Sequence, residues 1–202
     1  DEDFAVNGWD ARNTFWAPEI LRYDGQYHMF VSYVPGVPVD WSGPRYIQHM
    51  TSRNLWDWQF ESRLTLSSQR VIDACVIQMP DGVWRMWYVS CCRWELVDGK
   101  PRHYYHIRYA QSTDGVAWTR SGHVCLDFAG DEYAFARPCV VREGGRYRMW
   151  TCVRGDAYRL IYAESPDGLT WTRGADPQVP RSGFDQGMQC YPAVTSDGFL
   201  LY

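Results

Sequence analysis

The 202-residue chain has no apolar run near the roughly 20 residues that cross a bilayer, which excludes a transmembrane helix and gives no reason to expect a membrane partner. It has no cluster of lysine or arginine, and its net charge of −4 gives nucleic acid no electrostatic footprint. No basic leader opens it; the first residues are Asp1-Glu2-Asp3. It has no Cys-x-x-Cys pair. The seven cysteines are odd in number, Cys91-Cys92 form a doublet, and Cys75, Cys139 and Cys152 fall inside strand-like patterns. Thiols so placed behave as small buried hydrophobes, which points to a reducing, cytoplasmic compartment rather than a disulfide scaffold, with a secreted form shorn of its leader as the alternative. No nucleophilic serine elbow and no phosphate-cradling glycine loop is present. Helical periodicity is nowhere sustained, so the chain reads as all-β.

What it has in excess is aromatic residues, with eleven tryptophans and fourteen tyrosines in a chain that is 46% apolar. Aromatics suit half-buried pleated surfaces and also stack on sugar rings. Their placement repeats. Ser52 to Trp58, Ser112 to Trp118 and Ser165 to Trp171 each run from a serine to a tryptophan six residues on, and the serines are 60 and then 53 residues apart. Two copies nearly coincide: Tyr-Ala-Gln-Ser-Thr-Asp-Gly-Val-Ala-Trp-Thr-Arg at 109–120 and Tyr-Ala-Glu-Ser-Pro-Asp-Gly-Leu-Thr-Trp-Thr-Arg at 162–173. A period of that length built from short strands and turns marks a repeated sheet unit, a propeller blade of four antiparallel strands.

Each unit opens on a strand: Pro18 to Tyr23, Ala74 to Ile77, Pro138 to Arg142 and Pro192 to Val194. Asp24-Gly25, Asp81-Gly82, Gly144-Gly145 and Asp197-Gly198 follow, and such pairs accept the positive φ of hairpin turns. The second strand carries Tyr27-His28-Met29-Phe30, Trp84-Arg85-Met86-Trp87 and Tyr147-Arg148-Met149-Trp150, with the methionine facing inward. The third strand ends in the serine, and the fourth is expected to carry the tryptophan. This places blades at about 15–62, 71–122, 136–174 and, incompletely, 189–202. Long loops are expected at 35–44, 93–103 and 174–188, where function concentrates. Three and a half blades do not close a ring, so a fragment or self-association that completes the ring is expected.

Phe15-Trp16-Ala17-Pro18-Glu19-Ile20 followed by Asp24-Gly25-Gln26-Tyr27, and Val71-Ile72-Asp73-Ala74-Cys75-Val76, resemble the second- and third-blade motifs of family 43 glycoside hydrolases. With the related family 32 invertases, these are five-bladed β-propellers. The resemblance covers most of the chain, roughly blades two to five. It implies a carbohydrate-active protein, glycosidase-like, that hydrolyses or transfers glycosyl units with carboxylates in an axial funnel; a sugar-binding or scaffold propeller without the chemistry is the alternative. It implies a small-molecule or oligosaccharide substrate and no organic cofactor, with an axial calcium ion by analogy only.

Carried over by position, Asp73 stands where the family tunes and orients its acid, and Glu19 at the acidic position of the second-blade motif, where Arg22 or Arg12 could equally neutralise it. The base or nucleophile belongs to a first blade that has no counterpart here. The general acid belongs two residues before Pro138, where this chain has Ala136; Glu132, four residues earlier, is the carboxylate that could serve instead. Arg137, between Ala136 and Pro138, is expected to bind a ligand carboxylate or hydroxyl. Trp16 and Trp41 are expected to stack on sugar, and Tyr191 is placed with them as a substrate-binding residue. Asp185 reads as a turn aspartate, and His103 and His106 as residues of a solvated loop rather than a metal pair. Trp58, Trp118 and Trp171 recur once per blade and read as packing residues.

Overall fold

The computed structural model describes residues 13–36, 43–195, 198 and 200–201. Among these described residues it is all-β, with a single 3₁₀ turn at Gly183–Asp185. Three four-stranded blades follow one another. The first is β1 (Thr14–Tyr23), β2 (Gln26–Val34), β3 (Tyr46–Ser52) and β4 (Gln59–Arg63). The second is β5 (Val71–Gln78), β6 (Trp84–Val97), β7 (Lys100–Ser112) and β8 (Val124–Leu126). The third is β9 (Ala134–Glu143), β10 (Arg146–Arg154), β11 (Tyr158–Ser165) and β12 (Thr172–Arg173). A further pair, β13 (Ala193–Val194) and β14 (Leu200–Leu201), follows. Within each blade neighbouring strands are antiparallel. Successive blades touch through parallel bridges, Arg45 with Arg70 and Tyr105 with Ala134, where the chain enters the next inner strand.

The recurrent tryptophan does not lie in the fourth strand, as expected, but closes the turn before it. Trp58, Trp118 and Trp171 donate their indole N–H to the carbonyls of Leu55, Gly115 and Gly168 at 3.0–3.1 Å. The serine explains the other end of the motif: Ser112 Oγ accepts the N–H groups of Asp114 and Gly115, and Ser165 Oγ those of Asp167 and Gly168. The aspartate side chains then accept two further N–H groups each, so the turn satisfies its own backbone.

The blades are joined by the second-strand motif. Trp84 and Trp118 of the second blade pack edge-on against Phe30 of the first. Trp171 of the third packs edge-on against Trp87 of the second, Tyr147 meets the same ring at a tilt, and Trp87 also donates to the Gly168 carbonyl at 2.8 Å. Phe30 and Trp87 are fully buried, and burial of one such ring contributes about 2–3 kcal/mol to the joint.

The expected loop at 93–103 is instead a hairpin arm. β6 and β7 pair from Trp84↔Ser112 out to Val97↔Lys100, around Asp98 and Gly99, both at positive φ. Cross-strand pairing overrides the weak strand preference of Lys100, Pro101 and Arg102.

Candidate functional site

The inner strand of every blade contains the same irregularity. Ala17, Asp73, Arg137 and Tyr191 have φ of 49°, 54°, 45° and 58°, and each stands just before Pro18, Ala74, Pro138 or Pro192. The strand register slips at the first three of these positions. A non-glycine residue in this region costs about 1–3 kcal/mol and persists where the surroundings enforce it, often at functional sites.

Those surroundings also repeat. The N–H of Asp73 donates to Ser32 Oγ at 2.9 Å, and that of Tyr191 reaches Cys152 Sγ at 3.4 Å; Ser32 and Cys152 occupy the same place in β2 and β10. In β6 that place holds Val89, which cannot accept, and the N–H of Arg137 turns to Asp73 Oδ2 instead, at 3.1 Å. A second row ties one inner strand to the next. Val140 N–H reaches Cys75 Sγ at 3.2 Å and Val194 N–H reaches Cys139 Sγ at 3.3 Å, with Glu19 at the equivalent point of the first blade beside Val76 N–H. All seven cysteines are free thiols.

The start of these inner strands opens into a cavity of about 620 Å³, well within the range of small-molecule sites. Trp16, Ile72, Asp73, Ala136 and Tyr191 line it from the inner strands; Val97, Asp98 and Lys100 to His103 cover one flank from the hairpin arm, and Tyr105, Tyr133, Arg154 and Tyr158 add to the wall. Three expected site residues, Asp73, Trp16 and Tyr191, therefore share one hollow. Trp41 lies outside the described residues.

Asp73 is buried, and its Oδ1 has no hydrogen-bond partner among the described residues. Burial pushes its carboxyl above the ordinary range, against the opposing pull of the Arg137 N–H, the Arg137 charge and the Trp16 side chain. The same burial, reinforced by Asp73, pushes the phenols of Tyr105 and Tyr191 up to about 12 and that of Tyr158 up as well. Tyr105 in turn accepts a hydrogen bond from the buried Arg45 at 2.6 Å.

Glu19 and Arg137 sit behind Asp73 rather than on the cavity wall. Arg137 donates to the carbonyls of Ala17 and Pro18 at 3.1 Å and pairs with Glu19 at 3.3 Å. Burial raises the Glu19 carboxyl more than Arg137 lowers it. Glu132 faces away from the hollow. It pairs with Arg159 and, at 2.6 Å, with Arg173, and it accepts the Ala129 N–H. Burial alone would raise its carboxyl, but these donors and charges hold it below the usual range. That environment suits a fixed carboxylate and not a proton donor. Asp185 caps its own 3₁₀ turn and accepts from Gln189 at 2.9 Å.

His103 and His106 lie in β7, not in a solvated loop. Three residues apart on a strand, they point to opposite faces: His103 lines the cavity, and His106 stands beside Asp127 at 3.2 Å. Among the described residues no three His, Cys, Asp or Glu side chains converge. Around Asp73 the neighbours are N–H donors and phenols, not the oxygen cage that calcium takes, so no step below runs through a cation. Sequence reasoning passed over Tyr105, Tyr158 and the hairpin residues of this wall; Asp98-Gly99, a two-residue hairpin signal, is what could have found the arm.

No protein-family model matches the chain. It is 44% identical over 128 residues to the uncharacterized protein Rv1502 of Mycobacterium tuberculosis, covering 60% of this chain and 42% of that protein. It is 30% identical over 160 residues to a probable sucrose-6-phosphate hydrolase of Psychromonas ingrahamii, covering 75% of this chain and 28% of that protein. The chain thus spans less than half the length of these curated relatives. Among solved structures, a thermostable family-43 glycoside hydrolase superposes with a TM-score of 0.69 at 21% identity, over 98% of this chain and 67% of its own. A sucrose-6-phosphate hydrolase of Lactobacillus gasseri does so with a TM-score of 0.70 at 16% identity, over 90% of this chain and 39% of its own. The chain has the β-propeller fold of the glycoside hydrolases, and its sheets are their antiparallel four-stranded blades.

Proposed function

We propose that this chain belongs to a carbohydrate-active propeller whose axial cavity receives a sugar, with Asp73 as the carboxyl group that acts on it in glycosidase-like hydrolysis or transfer of glycosyl units. The observation that carries the reading is Asp73 itself: a buried carboxyl with one oxygen unpartnered among the described residues, held in a strained backbone conformation, at a cavity walled by aromatic rings. A carboxyl kept towards its neutral form in such a place can donate a proton or hold one for a partner. Trp16 and Tyr191 are suited to pack against the sugar ring. A second carboxyl is required across the scissile bond. Among the described residues the cavity offers only Asp98, on the hairpin turn, so that partner is to be sought outside the described residues.

Sugar binding without chemistry is the second reading. It is favoured by Ala136, buried on the cavity wall at the position where the resemblance expects the acid, and by Glu132, engaged by two arginines. Turnover of a panel of aryl glycosides by the full-length protein decides between them. Hydrolysis by the wild type that falls about 100-fold or more in Asp73→Asn supports catalysis, in line with loss of a group that transfers a proton. Sugar binding without turnover in either protein establishes the binding reading. Equal turnover in both removes Asp73 from the chemistry.

A further inference from the structure

Six arginines of this propeller are matched by carboxylates among the described residues. Arg93, Arg137, Arg146, Arg148, Arg159 and Arg173 each pair with a glutamate. The two arginines of the cavity wall are not among them. Arg102, on the hairpin arm, and Arg154, at the end of β10, both lean on the ring of Tyr133, with guanidinium carbons 4.7 and 5.9 Å from its centre; Arg154 also lies 5.4 Å from the centre of Tyr158. Neither has an ion pair or side-chain hydrogen bond among the described residues. Lys100 adds a third positive charge from the same arm.

Two guanidiniums brought to one ring repel each other, and each presents a fork of donors that carboxylate and phosphate groups fill in bidentate fashion. Among the described residues the cavity lining has two carboxyl groups to set against them. Asp98 is on the exposed hairpin turn, and Asp73 lies on the floor with Tyr105 and Tyr158 around it. Contact with Tyr133 helps hold both guanidiniums at the cavity wall.

We infer that the cavity is built for an acidic sugar, one carrying a carboxylate or a phosphate, with that anion clasped between Arg102 and Arg154 and the sugar ring held over Asp73. This deepens the reading of the cavity as a sugar site and rests on it. The ring and the anion occupy different parts of the hollow: the inner-strand side, with Trp16 and Asp73, takes the apolar and hydroxyl faces of the sugar, and the arm and β10 side takes the charge. Lys100 at the rim would steer such ligands inward, an effect that weakens with salt.

Calorimetric titration of the full-length protein with matched monosaccharide pairs tests this: glucuronate against glucose, galacturonate against galactose, mannose 6-phosphate against mannose, and fructose 6-phosphate against fructose. The expected result is that in at least one pair the acidic member binds about tenfold tighter or better at low salt, as a charge-assisted bidentate contact provides. That advantage shrinks as salt rises, falls away in Arg102→Gln/Arg154→Gln, and survives in part in Arg102→Lys/Arg154→Lys. A uronate preference identifies a carboxylate, a sugar-phosphate preference a phosphate. Equal binding within every pair, or an advantage that persists in the double glutamine variant with its fold intact by circular dichroism, overturns the anion site and leaves the sugar reading standing. Absence of binding by every member, acidic and neutral, overturns both.

Discussion

Asp73 combines two unfavourable features in one residue. Its backbone occupies the left-handed region, which asparagine tolerates better than most side chains, and its carboxyl is buried with one oxygen unpartnered among the described residues. Because burial raises its pKa in the folded chain, the folded state holds a proton that the unfolded state releases. The contribution of this residue to stability is therefore greatest below the ordinary carboxylate range and declines as pH rises through the raised value. Asp73→Asn removes the ionisable group while keeping an oxygen for the Arg137 N–H. The variant should be more stable than the wild type at neutral pH by about 1–2 kcal/mol in urea denaturation, with the gap closing on acidification. A wild type more stable than the variant at neutral pH would make the carboxylate a favourable structural partner and take away the strain argument for function.

At the level of the blade, Glu132 shows the opposite sign. It lies on the connection from β8 into β9 and ties that connection to β11 through Arg159 and to β12 through Arg173. Its carboxyl is held below the usual range, so the stability it contributes is present above the unfolded carboxylate pKa and is lost as pH falls through the folded one. Glu132→Gln should cost about 2–3 kcal/mol at neutral pH, less than a fully buried pair because both arginines are partly exposed, and should blunt the acid limb of the stability curve. A variant with an unchanged acid limb would show that the third blade closes without this cluster. The elements themselves were largely legible in the chain because their signals are local: Asp-Gly turns, the serine that caps them, and an indole that closes them within six residues. The hairpin arm was hidden by Lys100-Pro101-Arg102, whose composition reads as loop. The partnerships of Glu19, Arg137 and Glu132 were hidden for another reason, since they join residues 27 to 118 positions apart and depend on how the blades meet.

Across the whole molecule, the decisive link is the one from the third blade to the first. Arg137 reaches past Asp73 to the Ala17 and Pro18 carbonyls and to Glu19, across 118 to 120 residues of sequence. Its own N–H meanwhile holds the Asp73 carboxylate. Three inner strands thus meet at one residue, at the point where the cavity floor is set. The resemblance implies an acidic role for Glu19, and the place of Arg137 before Pro138 suggests a ligand; the geometry has them facing each other, and a double-mutant cycle measures how far that pairing binds the blades together. Arg137→Met leaves the half-buried Glu19 without its cation and should cost about 2–3 kcal/mol, below the range of a fully buried pair. Glu19→Gln leaves Arg137 with two carbonyl acceptors and should cost about 1–2 kcal/mol. If the pair acts as a unit, the double variant costs less than the two together by about 1–3 kcal/mol, because the second change removes the partner stranded by the first. Costs that add to within about 0.5 kcal/mol would show that the parallel bridges and the aromatic joints hold the blades unaided, and would return Arg137 to the ligand-binding role that its place before Pro138 suggests.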